Sequence, residues 1–209
     1  MEVITLIRKE RGKYRVTIGG DTDVLVPAAL FRERPLAEGE DIDPEEYDQW
    51  LMVRQYRQAL DRAVGYLAAR ARSRKEIEDK LLMAGYRPCT VEMVLYKLEK
   101  EGLLDDGDFA RQWVESRGQR MGRQRIAREL RQKGISAQEA EAAMEAIDEE
   151  EQLSGAVALV KKGLARAKAG EDPRKTAARL TAMLARRGYG YEVAREAIGQ
   201  ALTDMTDEE

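Results

Sequence analysis

Two stretches of this chain follow one helical pattern. Ser73 to Leu98 and Gly122 to Ile147 align without a gap, the second starting 49 positions after the first. Ile77 falls on Ile126, Leu81 on Leu130, Gly85 on Gly134 and Leu98 on Ile147. A weaker third copy places Leu180, Leu184, Gly188, Tyr189 and Ile198 where the first has Ile77, Leu81, Gly85, Tyr86 and Leu95. A period of this size means a supersecondary unit set in an array, with several small cores in a row. Such arrays present surfaces more than deep pockets, so the sequence points to a long partner before it points to a reaction.

The first 30 residues read differently. Val3 to Ile7, Tyr14 to Ile18 and Val24 to Val26 are short runs rich in β-branched and aromatic residues, separated by Arg11-Gly12 and Gly19-Gly20. They predict a meander of two or three strands that needs the first helix or a partner to pack against. Asp43-Pro44-Glu45-Glu46 then opens a helix: a capping aspartate, proline in the first turn, and acids at the positive end of the dipole. Trp50, Val53, Arg57, Leu60, Val64 and Leu67 mark its expected apolar stripe, with Arg57 at the edge. Ser73 and Glu76 form a capping box for the next helix, which stops at Gly85, and Thr90 to Lys100 is the third, closed by Gly102.

The same grammar predicts helices over Asp108–Gly118, Gly122–Lys133 and Ser136 to about Glu150, with Gly134 as a stop. A third set covers about Glu151–Lys168, Pro173–Arg187 and Tyr191–Leu202, with a long exit loop at Ala169–Asp172 and a stop at Gly188. The expected fold is mainly α: three tandem three-helix repeats in an elongated curved array, preceded by a small β-rich N-terminal segment. The boundaries fall at 1–42 for the β-rich extension, 43–104, 105–150 and 151–209, the last with an acidic tail.

Composition narrows the chemistry. Charged residues make up 36% and aromatics 6%, which suits helices with thin apolar stripes. Histidine is absent, which removes the usual zinc ligand and the usual general base at neutral pH. The lone Cys89 excludes an internal disulfide framework and fits a reducing cytoplasm. Neither a signal peptide nor a membrane-length apolar run is present, and neither GxGxxG nor a P-loop occurs. These features disfavour an enzyme and predict no cofactor and no metal.

The net charge of −3 hides segregation. Glu33–Asp48 carries eight acids and Glu139–Glu151 seven, whereas Arg111–Lys133 carries eight basic residues and Lys161–Arg187 nine. Within the middle unit, a wheel with Ile126 and Leu130 facing the core sets Arg125, Arg128 and Arg131 on the opposite arc. Arg117, Arg120 and Arg123 lie on or near the preceding turn, between Gly118 and Gly122, and Lys133 ends the helix. Arginine forks suit phosphate or carboxylate, so this group is the candidate contact face for a negatively charged partner. Asp105, Asp106 and Asp108 lack the spacing of a calcium loop; Asp106 or Asp108 reads as the cap of the next helix, and Trp113 as core.

The run from Leu103 to Ile135 resembles the signature of the RecX family of bacterial recombination regulators. The matching positions are Asp105-Asp106, Phe109-Ala110, Trp113, Arg117, Gly122, Arg125-Ile126, Glu129-Leu130 and Lys133-Gly134-Ile135. The resemblance spans roughly residues 55 to 202 and is strongest in the middle unit. It implies a cytoplasmic, monomeric regulator that binds the RecA recombinase filament on single-stranded DNA. Such a protein limits filament extension and damps ATP hydrolysis, strand exchange and the co-protease activity behind the SOS response. The competing reading is a sequence-tolerant, helix-turn-helix-like regulator acting on duplex DNA.

Overall fold

The computed structural model describes residues 1–166 and 172–207, and the chain divides into two compact units, Met1–Asp105 and Asp106–Glu209. In the first unit, β1 (Glu2–Glu10), β2 (Lys13–Ile18) and β3 (Thr22–Pro27) form an antiparallel meander. A short helix α1 (Ala28–Glu33) follows, and a two-residue strand β4 (Asp41–Ile42) pairs with β1 to complete a sheet of order β3-β2-β1-β4. The strands turn at Gly12 and at Gly19-Gly20, all with positive φ. Neither α1 nor β4 is legible in the acid-rich sequence, although Leu30 and Ile42 anchor them. Both are buried with Ile4, Val16, Ile18 and Val26 against Tyr47 and Leu51 of α2 (Pro44–Ala69). The first helix therefore covers the sheet and supplies the apolar face a small meander lacks alone.

Helix α2 begins as the sequence predicts, with Asp43 accepting from the Glu45 and Glu46 amides at 3.0 and 3.2 Å. Its buried face differs from the predicted stripe. Tyr47, Leu51, Gln55, Ala59 and Ala63 point inward, while Val53 is 73% and Val64 42% exposed. The reason is packing distance. With α3 (Arg74–Met83) and α4 (Pro88–Lys100), α2 forms the first three-helix unit. Small Ala59 and Ala63 sit in one core with Leu81, Val94 and Leu98. Buried Gln55 is placed by a hydrogen bond, its Oε1 accepting from the Arg87 amide at 3.0 Å.

The second unit carries α5 (Asp106–Arg117), α6 (Arg123–Gln132) and α7 (Ala137–Glu145), then α8 (Glu149–Leu164), α9 (Pro173–Arg186) and α10 (Tyr191–Asp207). Phe109, Ala110, Val114, Ile126, Leu130, Ile135, Ala140 and Ala143 fill the core of the middle repeat. A second core joins Ala156 and Val160 of α8 to Leu180 and Leu184 of α9 and to Ala194, Ala197 and Ala201 of α10. Residues 169–171 of the predicted exit loop lie outside the described residues; Asp172 caps α9 by accepting from the Arg174 amide at 2.9 Å. The repeat shows most plainly in its stops. Gly85, Gly134 and Gly188 all have positive φ. In each copy the next residue bonds back to the last core leucine: Tyr86 to Leu81, Ile135 to Leu130, Tyr189 to Leu184.

The middle and third repeats meet backbone to backbone. The Gly122 amide donates to the Arg187 carbonyl at 2.9 Å, and the Gln124 amide donates to the Gly188 carbonyl at 3.1 Å. A Cβ on Gly122 would overlap the Gly188 carbonyl, and one on Gly188 would overlap the backbone of Arg125. Gln152, buried on α8, donates to the carbonyls of Gly118 at 2.6 Å and Met121 at 3.2 Å. The turn of α9 thus occupies the unpaired amides at the start of α6.

Candidate nucleic-acid interface

The seven basic residues of the candidate face separate into two groups. Arg120, Arg128 and Arg131 are exposed, and their side chains have no hydrogen-bond or ion-pair partner among the described residues. The other four are engaged. Arg123 reaches from the first turn of α6 to the Ile147 carbonyl at 2.8 Å, clasping the end of the repeat. Arg117, Arg125 and Lys133 gather around Trp113 and Glu129.

Trp113 is the centre of that cluster. It stacks on Phe109 with centroids 5.5 Å apart and is half-buried over the core. The Arg117 guanidinium carbon lies 3.4 Å from its ring centroid and the Lys133 ammonium 4.2 Å, two short cation–π contacts. Glu129, the single acid of α6, accepts from Trp113 Nε1 and from Arg125 Nε, both at 3.2 Å, and forms an ion pair with Arg117, whose Nε lies 3.1 Å away.

Two sequence expectations change here. Arg125 does not stand on the far arc with Arg128 and Arg131; it sits on the flank where α5 packs, one turn before Glu129, and is half-buried. Trp113 belongs to the edge of the core, as its apolar character suggests, but its exposed part is covered by cations. Glu129 is a functional candidate that the sequence reading misses. Its signal in the sequence is an acid four residues after Arg125, in a run otherwise basic from Arg117 to Lys133.

Of the remaining signature residues, Ile126 and Leu130 are fully buried and Gly134 supplies the left-handed stop. Asp106 opens α5 directly after Asp105, and Asp108 in the first turn accepts from Arg111 at 3.2 Å and Gln112 at 2.8 Å. Cys89 is exposed on α4. Among the described residues no group of three acidic or cysteine side chains is arranged to hold a metal ion. None of their helices is long and apolar enough to cross a membrane.

A sheet-capped three-helix unit followed by two more, the last two joined through backbone and carrying a cationic edge, defines a tandem-repeat protein of the three-helix kind. Comparison with known proteins gives the family. Residues 59–98 match the first three-helix domain of RecX, 105–144 the second and 149–198 the third. The chain is 41% identical over 152 residues to the regulatory protein RecX of Mycobacteroides abscessus, covering 72% of this chain and 74% of that one. It is 38% identical over 169 residues to the regulatory protein RecX of Mycolicibacterium vanbaalenii, covering 78% and 91%. A crystal structure of regulatory protein RecX superposes with a TM-score of 0.67 at 24% identity, over 96% of this chain and 100% of that one. A RecX structure from Lactobacillus salivarius gives 0.66 at 24% identity, over 71% and 97%. The chain belongs to the RecX family.

Proposed function

We propose that this chain is a regulator of the RecA recombinase. It binds the recombinase filament on single-stranded DNA and inhibits filament extension, ATPase, strand exchange and co-protease activity, so modulating DNA repair and the SOS response. The observation that carries this reading is family membership through all three helical units, at about 40% identity to proteins named as regulators. The geometry of the middle repeat supports it. Arg120, Arg128 and Arg131 extend from a fixed frame, which suits a partner with regularly spaced negative charge. On this reading the chain acts as a cytoplasmic monomer without catalysis, and the divisions 43–104, 105–150 and 151–209 are its working units.

The test is recombinase ATPase on single-stranded DNA, titrated with this chain and the cognate recombinase. Inhibition at chain concentrations far below those that saturate free DNA supports the reading. No effect at micromolar chain sinks it. Tight duplex binding with single-base penalties of about 1–3 kcal/mol would favour the duplex-reading regulator instead.

A further inference from the structure

Glu129 makes an unusual choice of donors. Both arginines approach it with the inner nitrogen: Arg125 Nε donates to one carboxylate oxygen at 3.2 Å, and Arg117 Nε lies in an ion pair 3.1 Å from the other. The Trp113 indole N–H shares the oxygen that Arg117 uses. Arg117 is held further by the ring 3.4 Å beneath it and by its Nη1 donating to Ser116 Oγ at 2.8 Å. Arg117 Nη2 and both Nη atoms of Arg125 have no hydrogen-bond partner among the described residues. The two guanidinium planes are fixed at their bases, while their outer N–H groups remain available.

The pair also keeps a surplus of positive charge: Arg117 and Arg125 face one carboxylate, that of Glu129. That surplus and the paired forks suit an oxyanion with several acceptor oxygens. Trp113 has little open face for a nucleobase, because cations lie 3.4 and 4.2 Å from its centroid. Recognition here is of backbone and not of base. Arg128 lies on the next exposed turn of the same helix, so a polyanion gripped at the cluster continues past further positive charge.

We propose that Arg117 and Arg125, oriented by Glu129, form a fork that grips a phosphodiester of single-stranded nucleic acid, with Glu129 as its positioning residue. The proposal rests on reading the basic edge of the middle repeat as a nucleic-acid contact. It makes a prediction of unusual sign. Glu129→Gln makes the chain one charge more positive, so attraction at a distance alone would tighten binding to a polyanion. Loss of the fork's orientation weakens it.

The experiment is fluorescence anisotropy of the full chain with a labelled oligo-dT, over a range of salt, with circular dichroism confirming the fold of each variant. Glu129→Gln is expected to weaken binding about five- to tenfold, the scale of one net hydrogen bond. Glu141→Gln, an equal charge change at an exposed site on α7, is expected to tighten it slightly. Arg125→Lys keeps the charge and the helical spacing but loses the fork, and is expected to weaken binding several-fold. It serves as the decisive variant if Glu129→Gln does not fold.

Tighter binding by Glu129→Gln to the extent seen for Glu141→Gln, or no effect of Arg125→Lys, overturns the proposal. Equal competition by polyglutamate at matched charge overturns it as well, because the site would then take carboxylates. A chain that inhibits the recombinase yet does not bind oligo-dT refutes the fork and leaves the proposed function standing. A chain that shows the predicted pattern on oligo-dT without touching recombinase ATPase supports the fork and refutes the function.

Discussion

The joint between the middle and third repeats gives the sharpest prediction about stability. Gly122 has ordinary extended φ and ψ, −73° and 155°, so alanine brings no backbone strain there. Its added Cβ would overlap the Gly188 carbonyl and the Tyr189 amide, and neither is the end of a flexible side chain. The repeats must part, breaking the Gly122-to-Arg187 and Gln124-to-Gly188 hydrogen bonds. Breaking two hydrogen bonds costs about 1–3 kcal/mol. Gly188→Ala adds a left-handed φ of 85°, worth about 1–2 kcal/mol more, and strikes Arg125 besides.

Gly199, inside α10 with nothing near its missing Cβ, provides the opposite sign. Alanine there should stabilise by up to about 1 kcal/mol through helix propensity. Urea unfolding of the three variants measures the differences, and amide hydrogen exchange at Gly122 and Gln124 shows whether the joint has opened. If Gly122→Ala destabilises by less than about 0.5 kcal/mol and both amides stay protected, the joint yields easily and the reasoning from backbone overlap is wrong.

Two further outcomes follow. Burial pushes the Tyr47 hydroxyl from its ordinary 10 up to about 12, so the folded state favours the neutral phenol. That stability is fully present below the unfolded pKa near 10 and is lost as pH rises toward 12. The hydroxyl also has no hydrogen-bond partner among the described residues, so Tyr47→Phe should raise stability at neutral pH by about 1 kcal/mol and flatten the decline between pH 10 and 12 in chemical denaturation. Arg128→Ala with Arg131→Ala should leave the thermal midpoint within about 2 °C, since both are exposed and unpaired among the described residues. On single-stranded DNA the same pair should reduce the salt slope by about 0.7 for each phosphate no longer neutralised, which a salt titration reads directly.

The repeat is legible because its signals are local. A capping aspartate or serine, a leucine pair one turn apart and a glycine stop each act within a few residues, and Asp43, Ser73, Gly85, Gly134 and Gly188 do in the structure what their chemistry dictates. The stripe on α2 is not legible because burial there is decided by neighbours distant in sequence, which select alanines and Gln55 over Val53 and Val64. The candidate site is half legible. Arginine content marks the region, and exposure of Arg128 and Arg131 follows from the wheel. The engagement of Arg117 and Arg125 depends on how α5 lies against α6, which the helical period of α6 alone does not contain.

The joint also bears on how such a protein can diversify. A junction made of carbonyls, amides, the Gln152 amide and three missing side chains, at Gly122, Gly155 and Gly188, asks little of the surface residues around it. Exposed charges on either repeat can be rewritten so long as positions 122, 155 and 188 keep glycine and position 152 keeps its amide. The third repeat departs far from the pattern of the first two while its turn still seats on the middle one. Grafting a foreign third repeat should therefore require matching the glycine turn after α9 and the Gln152–Gly155 face of α8, a short list of positions that makes this junction a natural splice point for chimeras.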